Sequence, residues 1–127
     1  MNTPVTWLES RGHKIACCIT GPDKSVATTA ASKQPTVVFC GGFKSNMQGT
    51  KALALQQLCQ TNHWPCVRFD YSGHGQSGGD FSAGNIDSWL HDALSVIDAI
   101  DNPHGVVLVG SSMGCLLYTS PSPTRPY

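Results

Sequence analysis

The chain is 127 residues long, 40% hydrophobic and 13% charged, which is sequence for one domain with a packed core and too little charge for a disordered segment. Eight Lys and Arg balance eight Asp and Glu, dispersed with no basic run between Arg11 and Arg125, so the clustered positive surface that binds nucleic acid or an anionic membrane is missing. No apolar stretch approaches the ~20 residues of a bilayer span, and Met1-Asn2-Thr3-Pro4-Val5-Thr6 lacks the charged and apolar regions of a secretory signal.

In chain order, weak strand signals near residues 6–9 and 14–19 flank the turn-like Ser10-Arg11-Gly12. Residues 21–35 are rich in Ser, Thr, Ala and Lys and read as an exposed loop. Thr36-Val37-Val38-Phe39-Cys40 is a short apolar run ending in Gly41-Gly42, the pattern of a strand buried on both faces of a parallel sheet. Over 50–60 the period becomes helical, with Ala52, Leu55, Leu58 and Cys59 on one face and Thr50 as the expected N-cap. Cys66-Val67-Arg68-Phe69-Asp70-Tyr71 is a second strand, and a Gly-rich loop over 72–84 follows it. A second helix is expected from 86 to about 100: Ile86, Trp89, Leu90, Ala93, Leu94, Ile97 and Ile100 form its apolar stripe, Asn85 caps it, and Pro103 prevents continuation. Val106-Val107-Leu108-Val109 gives a third buried strand ending at Gly110.

This alternation of strand and helix predicts an α/β fold with a mostly parallel sheet flanked by helices. Ligands in such sheets sit beyond the carboxyl ends of the strands, which directs attention to 41–45, 70–77 and 110–114. Cys17 and Cys18 are adjacent, Cys40 and Cys66 lie in strand-like runs, and Cys59 lies on a helical pattern. They read as free buried thiols of a reducing compartment, since a disulfide scaffold spaces its cysteines through loops. His63-Trp64-Pro65-Cys66 is one ligand pair without a second to close a tetrahedral metal site.

Gly110-Ser111-Ser112-Met113-Gly114 directly follows the third apolar strand. A G-x-S-x-G in that place is a nucleophile elbow, a turn so sharp that the residues two positions either side of the serine must be minimal. It exposes the Ser112 hydroxyl and aims the Met113 N–H at a developing oxyanion. A second donor is expected from the loop after an earlier strand, where Gly41-Gly42-Phe43-Lys44-Ser45 offers the N–H of Phe43. Gly73-His74-Gly75-Gln76-Ser77-Gly78 matches a dinucleotide fingerprint, but that site needs a helix to begin within the motif. Here Gly79, Asp80, Ser82, Ala83 and Gly84 intervene before the helical period, and the acidic residue about 20 positions on, Asp98, falls inside a helix. His74 precedes the nucleophile, against the hydrolase order of Ser, acid, His, so it reads as a loop histidine bonded to backbone. His13, His63, His91 and His104 read as surface or capping residues.

With these motifs the chain resembles the α/β-hydrolase superfamily, and within it the subgroup of the mitochondrial palmitoyl-protein thioesterase and acyl-glucuronide esterase and their bacterial relatives. The resemblance lies in Gly42-Phe43-Lys44-Ser45-Asn46-Met47-Gln48-Gly49-Thr50-Lys51-Ala52-Leu53, in Arg68-Phe69-Asp70-Tyr71-Ser72-Gly73-His74-Gly75-Gln76-Ser77 and in the elbow, and covers about 36–114. It implies a serine hydrolase of carboxylic esters or thioesters, with Ser112 as nucleophile, Phe43 and Met113 as backbone oxyanion donors, and no metal or organic cofactor. Family members are longer, with the catalytic acid and His downstream of the elbow, so the resemblance implies a partial domain over 1–114. Family members continue after the elbow with a helix, whereas residues 115–127 place prolines at 121, 123 and 126 and cannot form one. Cys115-Leu116-Leu117-Tyr118-Thr119-Ser120-Pro121-Ser122-Pro123 reads like a translated transposase adapter from a sequencing library, a non-native tail. The expected substrate is a small-molecule or acyl-protein ester or thioester. The competing reading is a truncated, non-catalytic α/β binding module. The expected compartment is the cytoplasm, with the mitochondrion as alternative, because the first residues lack the Arg-rich amphipathic character of a transit peptide.

Overall fold

A computed structural model describes residues 5–21, 34–42, 44–100, 104–111 and 114. Their elements are β1 (Thr6–Ser10), β2 (His13–Thr20), β3 (Thr36–Cys40), α1 (Thr50–Thr61), β4 (Cys66–Phe69), a 3₁₀ turn (Phe81–Ala83), α2 (Ile86–Ala99) and β5 (Val106–Gly110). One sheet runs in the order β1-β2-β4-β3-β5. The β1–β2 hairpin joins β4 antiparallel, whereas β3 pairs parallel with both β4 and β5. The expected loop over 21–35 and Pro103 lie largely outside the described residues. No helix among those described is long and apolar enough to cross a membrane.

The period-2 alternation of strand side chains divides the interior into two layers. Ile15, Cys17, Val38, Cys40, Val67 and Phe69 point to the face covered by Trp89, Leu90, Ala93 and Val96 of α2. Their sequence neighbours Val37 and Cys66 point the other way and pack with Cys59 and Leu55 of α1. Ala16 and Cys18 enclose Met47. Arg68 follows the same parity onto the α1 side and is fully buried there. Its Nε donates to Gln56 Oε1 at 2.6 Å, and its Nη1 donates to the Met47 carbonyl. This is why α1 departs from its expected face: Gln56 is buried to serve the guanidinium, while Leu58 is 52% exposed. The expected N-cap also moves by one residue. Gly49 caps α1 in extended conformation without a side-chain hydrogen bond, and Thr50 is the first helical residue.

Asn85 caps α2 as expected, its Oδ1 accepting the Ser88 N–H at 2.9 Å while Ser88 Oγ accepts the Asn85 N–H at 3.2 Å, a reciprocal capping box. The third strand is less covered than its apolar sequence suggests. β5 lies at the end of the described sheet, paired with β3 alone, and Val107 is 44% exposed.

A buried carboxylate ties the hairpin to α2. Asp92 is inaccessible to solvent and accepts from Ser10 Oγ at 2.8 Å, Arg11 Nη2 at 3.2 Å, Ser72 N at 2.9 Å and Ser72 Oγ at 2.8 Å. Four donors satisfy a charge that burial would otherwise penalise. Replacing it with alanine strands those donors, so Asp92→Ala should destabilise the fold by about 2–4 kcal/mol. A urea midpoint unchanged at constant m would contradict this.

All five described cysteines are buried, and none of them forms a disulfide with another. Burial pushes the thiols of Cys17 and Cys66 up to about 12, helped by the neighbouring Cys18 and Cys59 respectively. Below the unfolded value near 9.0 both states hold the proton, so this contribution is complete there. Above it the unfolded chain ionises first, so stability should fall by up to about 1.4 kcal/mol per pH unit per thiol towards pH ~12. Urea titrations on either side of pH ~9 should show this slope reduced in Cys66→Ala; an equal slope in that variant would contradict the assignment.

Candidate active site

Because β3, β4 and β5 run parallel, the segments leaving their carboxyl ends emerge at one edge, where such sheets place ligands. β4 and the segment after it grip the segment after β3 at four points. Tyr71 Oη donates to Gly41 O at 3.0 Å. The Lys44 N–H donates to His74 Nε2 at 3.2 Å. The Met47 N–H donates to Asp70 Oδ1 at 2.7 Å, and its carbonyl takes the Arg68 guanidinium. Asp70 also accepts the Gln76 N–H through Oδ2 at 2.9 Å, which closes its own loop around it.

Burial pushes the Asp70 carboxyl above its ordinary value, against the Gln76 and Met47 amides and the Arg68 charge, which pull it down. Burial also pushes the Tyr71 phenol up, so it stays a hydrogen-bond donor. Gly75 has φ +48°, and a Cβ there would overlap the Asp70 carboxylate. Gly73 has φ +74°, and a Cβ there would come within 2.6 Å of the Phe81 backbone. These glycines close the loop on the protein's own atoms. The first helical turn after them is Phe81–Ala83, so no helix N-terminus opens within the motif for a pyrophosphate.

The segment after β5 docks on the same strand end. The Ser111 N–H donates to Cys40 O at 3.0 Å, and the Gly114 N–H returns to Ser111 O at 3.0 Å. A Cβ on Gly114 would overlap the Cys40 carbonyl, so only glycine lets the turn approach β3 this closely. Lys51 Nζ, in the first turn of α1, donates to Ser111 Oγ at 3.1 Å. An open cleft of about 320 Å³ lies here, bordered by Phe39, Gly42, Ser45, Lys51 and Ser111.

Of the sequence-predicted site residues, Ser112, Met113 and Phe43 lie outside the described residues. Their neighbours Ser111, Gly114, Gly42 and Lys44 are described, and the first three gather around the end of β3. His74 is a buried loop histidine bonded to backbone, as expected. His63, His91 and His104 are exposed and His13 is half-buried. Among the described residues no three His, Cys, Asp or Glu side chains are grouped to hold a metal ion. Asp70 and Tyr71 fall in the segment 70–77 to which the strand ends direct attention, but the sequence assigns no role to them or to Arg68 and Lys51. Two charges, two apart, in an otherwise apolar strand were the available signal.

The profile of the family described as serine aminopeptidase, S33, matches residues 31–127. The chain belongs to this α/β-hydrolase family. Among curated relatives, human mitochondrial palmitoyl-protein thioesterase ABHD10 is 42% identical over 95 residues, covering 74% of this chain and 30% of the relative. The bovine protein of that name is 36% identical over 124 residues, 94% of this chain and 40% of the relative. The chain thus spans well under half the length of these relatives. Among solved structures, mouse α/β-hydrolase domain-containing protein 10 superposes with a TM-score of 0.77 at 29% identity, covering 91% of this α/β-hydrolase chain and 42% of its own. A protein from Agrobacterium vitis S4 has the same TM-score at 37% identity, covering 92% and 42%.

The contact at Cys40 yields a direct test. In a full-length protein carrying this segment, Gly114→Ala should force the turn away from β3 and destabilise the fold by about 1–3 kcal/mol, the cost of overpacking a tight contact. A urea midpoint equal to wild type at constant m would show that the close approach is unnecessary.

Proposed function

We propose that residues 1–114 are the N-terminal part of a longer serine hydrolase that cleaves carboxylic esters or thioesters through an acyl-enzyme on Ser112. The observation that carries this reading is the turn from Ser111 to Gly114, bonded through Ser111 N–H to Cys40 O and closed on itself by the Gly114 N–H. It sits after a parallel strand and beside the loop that contains Phe43, the arrangement a nucleophile elbow requires. Ser112 Oγ attacks the acyl carbonyl and yields its proton to a general base. The N–H groups of Phe43 and Met113 hold the oxyanion, the alcohol or thiol leaves protonated, and water hydrolyses the acyl-enzyme. The acid and His come from chain beyond residue 114, and residues 115–127 are a non-native tail.

The relatives' name, palmitoyl-protein thioesterase, supports a long-chain acyl thioester on protein as substrate. It also supports the mitochondrial compartment over the cytoplasmic one, since that name carries the word mitochondrial. A non-catalytic binding module is disfavoured, because the residues that shape the turn and its neighbouring loop are retained together. In the full-length protein, Ser112→Ala should abolish labelling by a fluorophosphonate probe and Ser111→Ala should retain it. Labelling that survives at Ser112→Ala, or is lost only in Ser111→Ala, would remove the assignment.

A further inference from the structure

His74 is 4% exposed and is held on every side. Its ring meets Tyr71, Phe81 and Trp89 edge-on, with centroids 5.6, 5.1 and 5.2 Å away. Nδ1 lies 3.1 Å from the Ser72 carbonyl, and Nε2 receives the Lys44 N–H at 3.2 Å. A carbonyl can only accept and an amide N–H can only donate. The pair of partners therefore fixes the neutral tautomer with the proton on Nδ1 and a lone pair on Nε2. Ser72 is in turn anchored by its N–H and hydroxyl on Asp92, and its carbonyl also accepts from Trp89 Nε1 at 3.2 Å.

At the far end of this series of contacts Lys44 has φ +60°, a left-handed conformation that is unfavourable for a residue bearing a Cβ and persists only when surroundings enforce it. Its ammonium lies over the Phe81 ring, 5.4 Å from the centroid. Lys44 is peptide-bonded to Phe43, the proposed oxyanion donor.

We infer that His74 is a positioning residue of the oxyanion loop: as a neutral Nδ1–H imidazole it holds the Lys44 peptide and thereby the aim of the Phe43 N–H. It takes no proton from substrate. The inference rests on the proposed hydrolase reading and deepens it. A loop gripped at the N–H of its own left-handed residue is suited to this role, because oxyanion donors act only when pre-aimed.

The test separates the two ring nitrogens in the full-length protein, with p-nitrophenyl butyrate as probe. His74→Gln carries an amide near Nε2 and can accept from Lys44; His74→Asn carries one near Nδ1 and cannot; His74→Phe keeps the ring and loses both. For His74→Phe and His74→Asn, kcat should fall about 10–100-fold while KM changes less than about threefold, and His74→Gln should recover most of the loss. A kcat within about twofold of wild type in His74→Phe overturns the inference. If His74→Phe does not fold, equal kcat in folded His74→Gln and His74→Asn overturns it. Loss of Ser112-dependent labelling from the wild type would instead overturn the hydrolase reading itself.

Discussion

The Asp70 carboxylate at the end of β4 is buried, and burial pushes its proton affinity up, so its charge is tolerable only while amides are turned towards it. Two of them come from different loops: Met47 from the segment after β3 and Gln76 from its own. Meeting the needs of one carboxylate therefore fixes the relative position of two loops at the ligand-binding edge. Arg68 completes the grip by taking the other end of the Met47 residue. Breaking such an arrangement leaves a buried charge uncompensated, which is far costlier than losing an exposed hydrogen bond.

Sheet parity explains how these polar groups reach that edge without spoiling the core. Val67 and Phe69 join the layer under α2, so Arg68 is turned to the α1 side, where Gln56 and the Met47 carbonyl await it. On the opposite side, Asp92 of α2 holds Ser72, Ser72 orients His74, and His74 holds Lys44. The two layers thus converge on the loop after β3 from both faces of the sheet. The turn after β5 meets the same strand end through Cys40.

Much of this was legible because the apolar runs were short and interrupted by glycine. The strands and the two helices stand where the sequence placed them, and Asn85 caps α2 because an asparagine before an apolar stripe has few better uses. Less legible were the places where polar residues enter the interior. Helical spacing assigns Leu58 to the core and says nothing for Gln56, because the demand for a buried acceptor comes from Arg68, 12 positions away. Asp92 was hidden for the same reason, with its partners Ser10 and Ser72 82 and 20 residues distant. Intrinsic preference points to Thr50 as the cap, whereas Gly49 has the extended backbone a cap needs. The roles proposed for Ser112, Phe43 and Met113 rest on the motif, and the described residues supply their sequence neighbours Gly42, Lys44, Ser111 and Gly114.

The proposed hydrolase reading makes one commitment above the others: that two backbone N–H groups, one from the loop after β3 and one from the turn after β5, converge on one oxygen. The most direct measurement is a crystal structure of the full-length protein with a tetrahedral phosphonate on Ser112. The account predicts a phosphonyl oxygen ~3 Å from the amide nitrogens of both Phe43 and Met113, with the Lys44 N–H still on His74 Nε2. An oxygen bound by the His74 ring instead, or by neither amide, would contradict it.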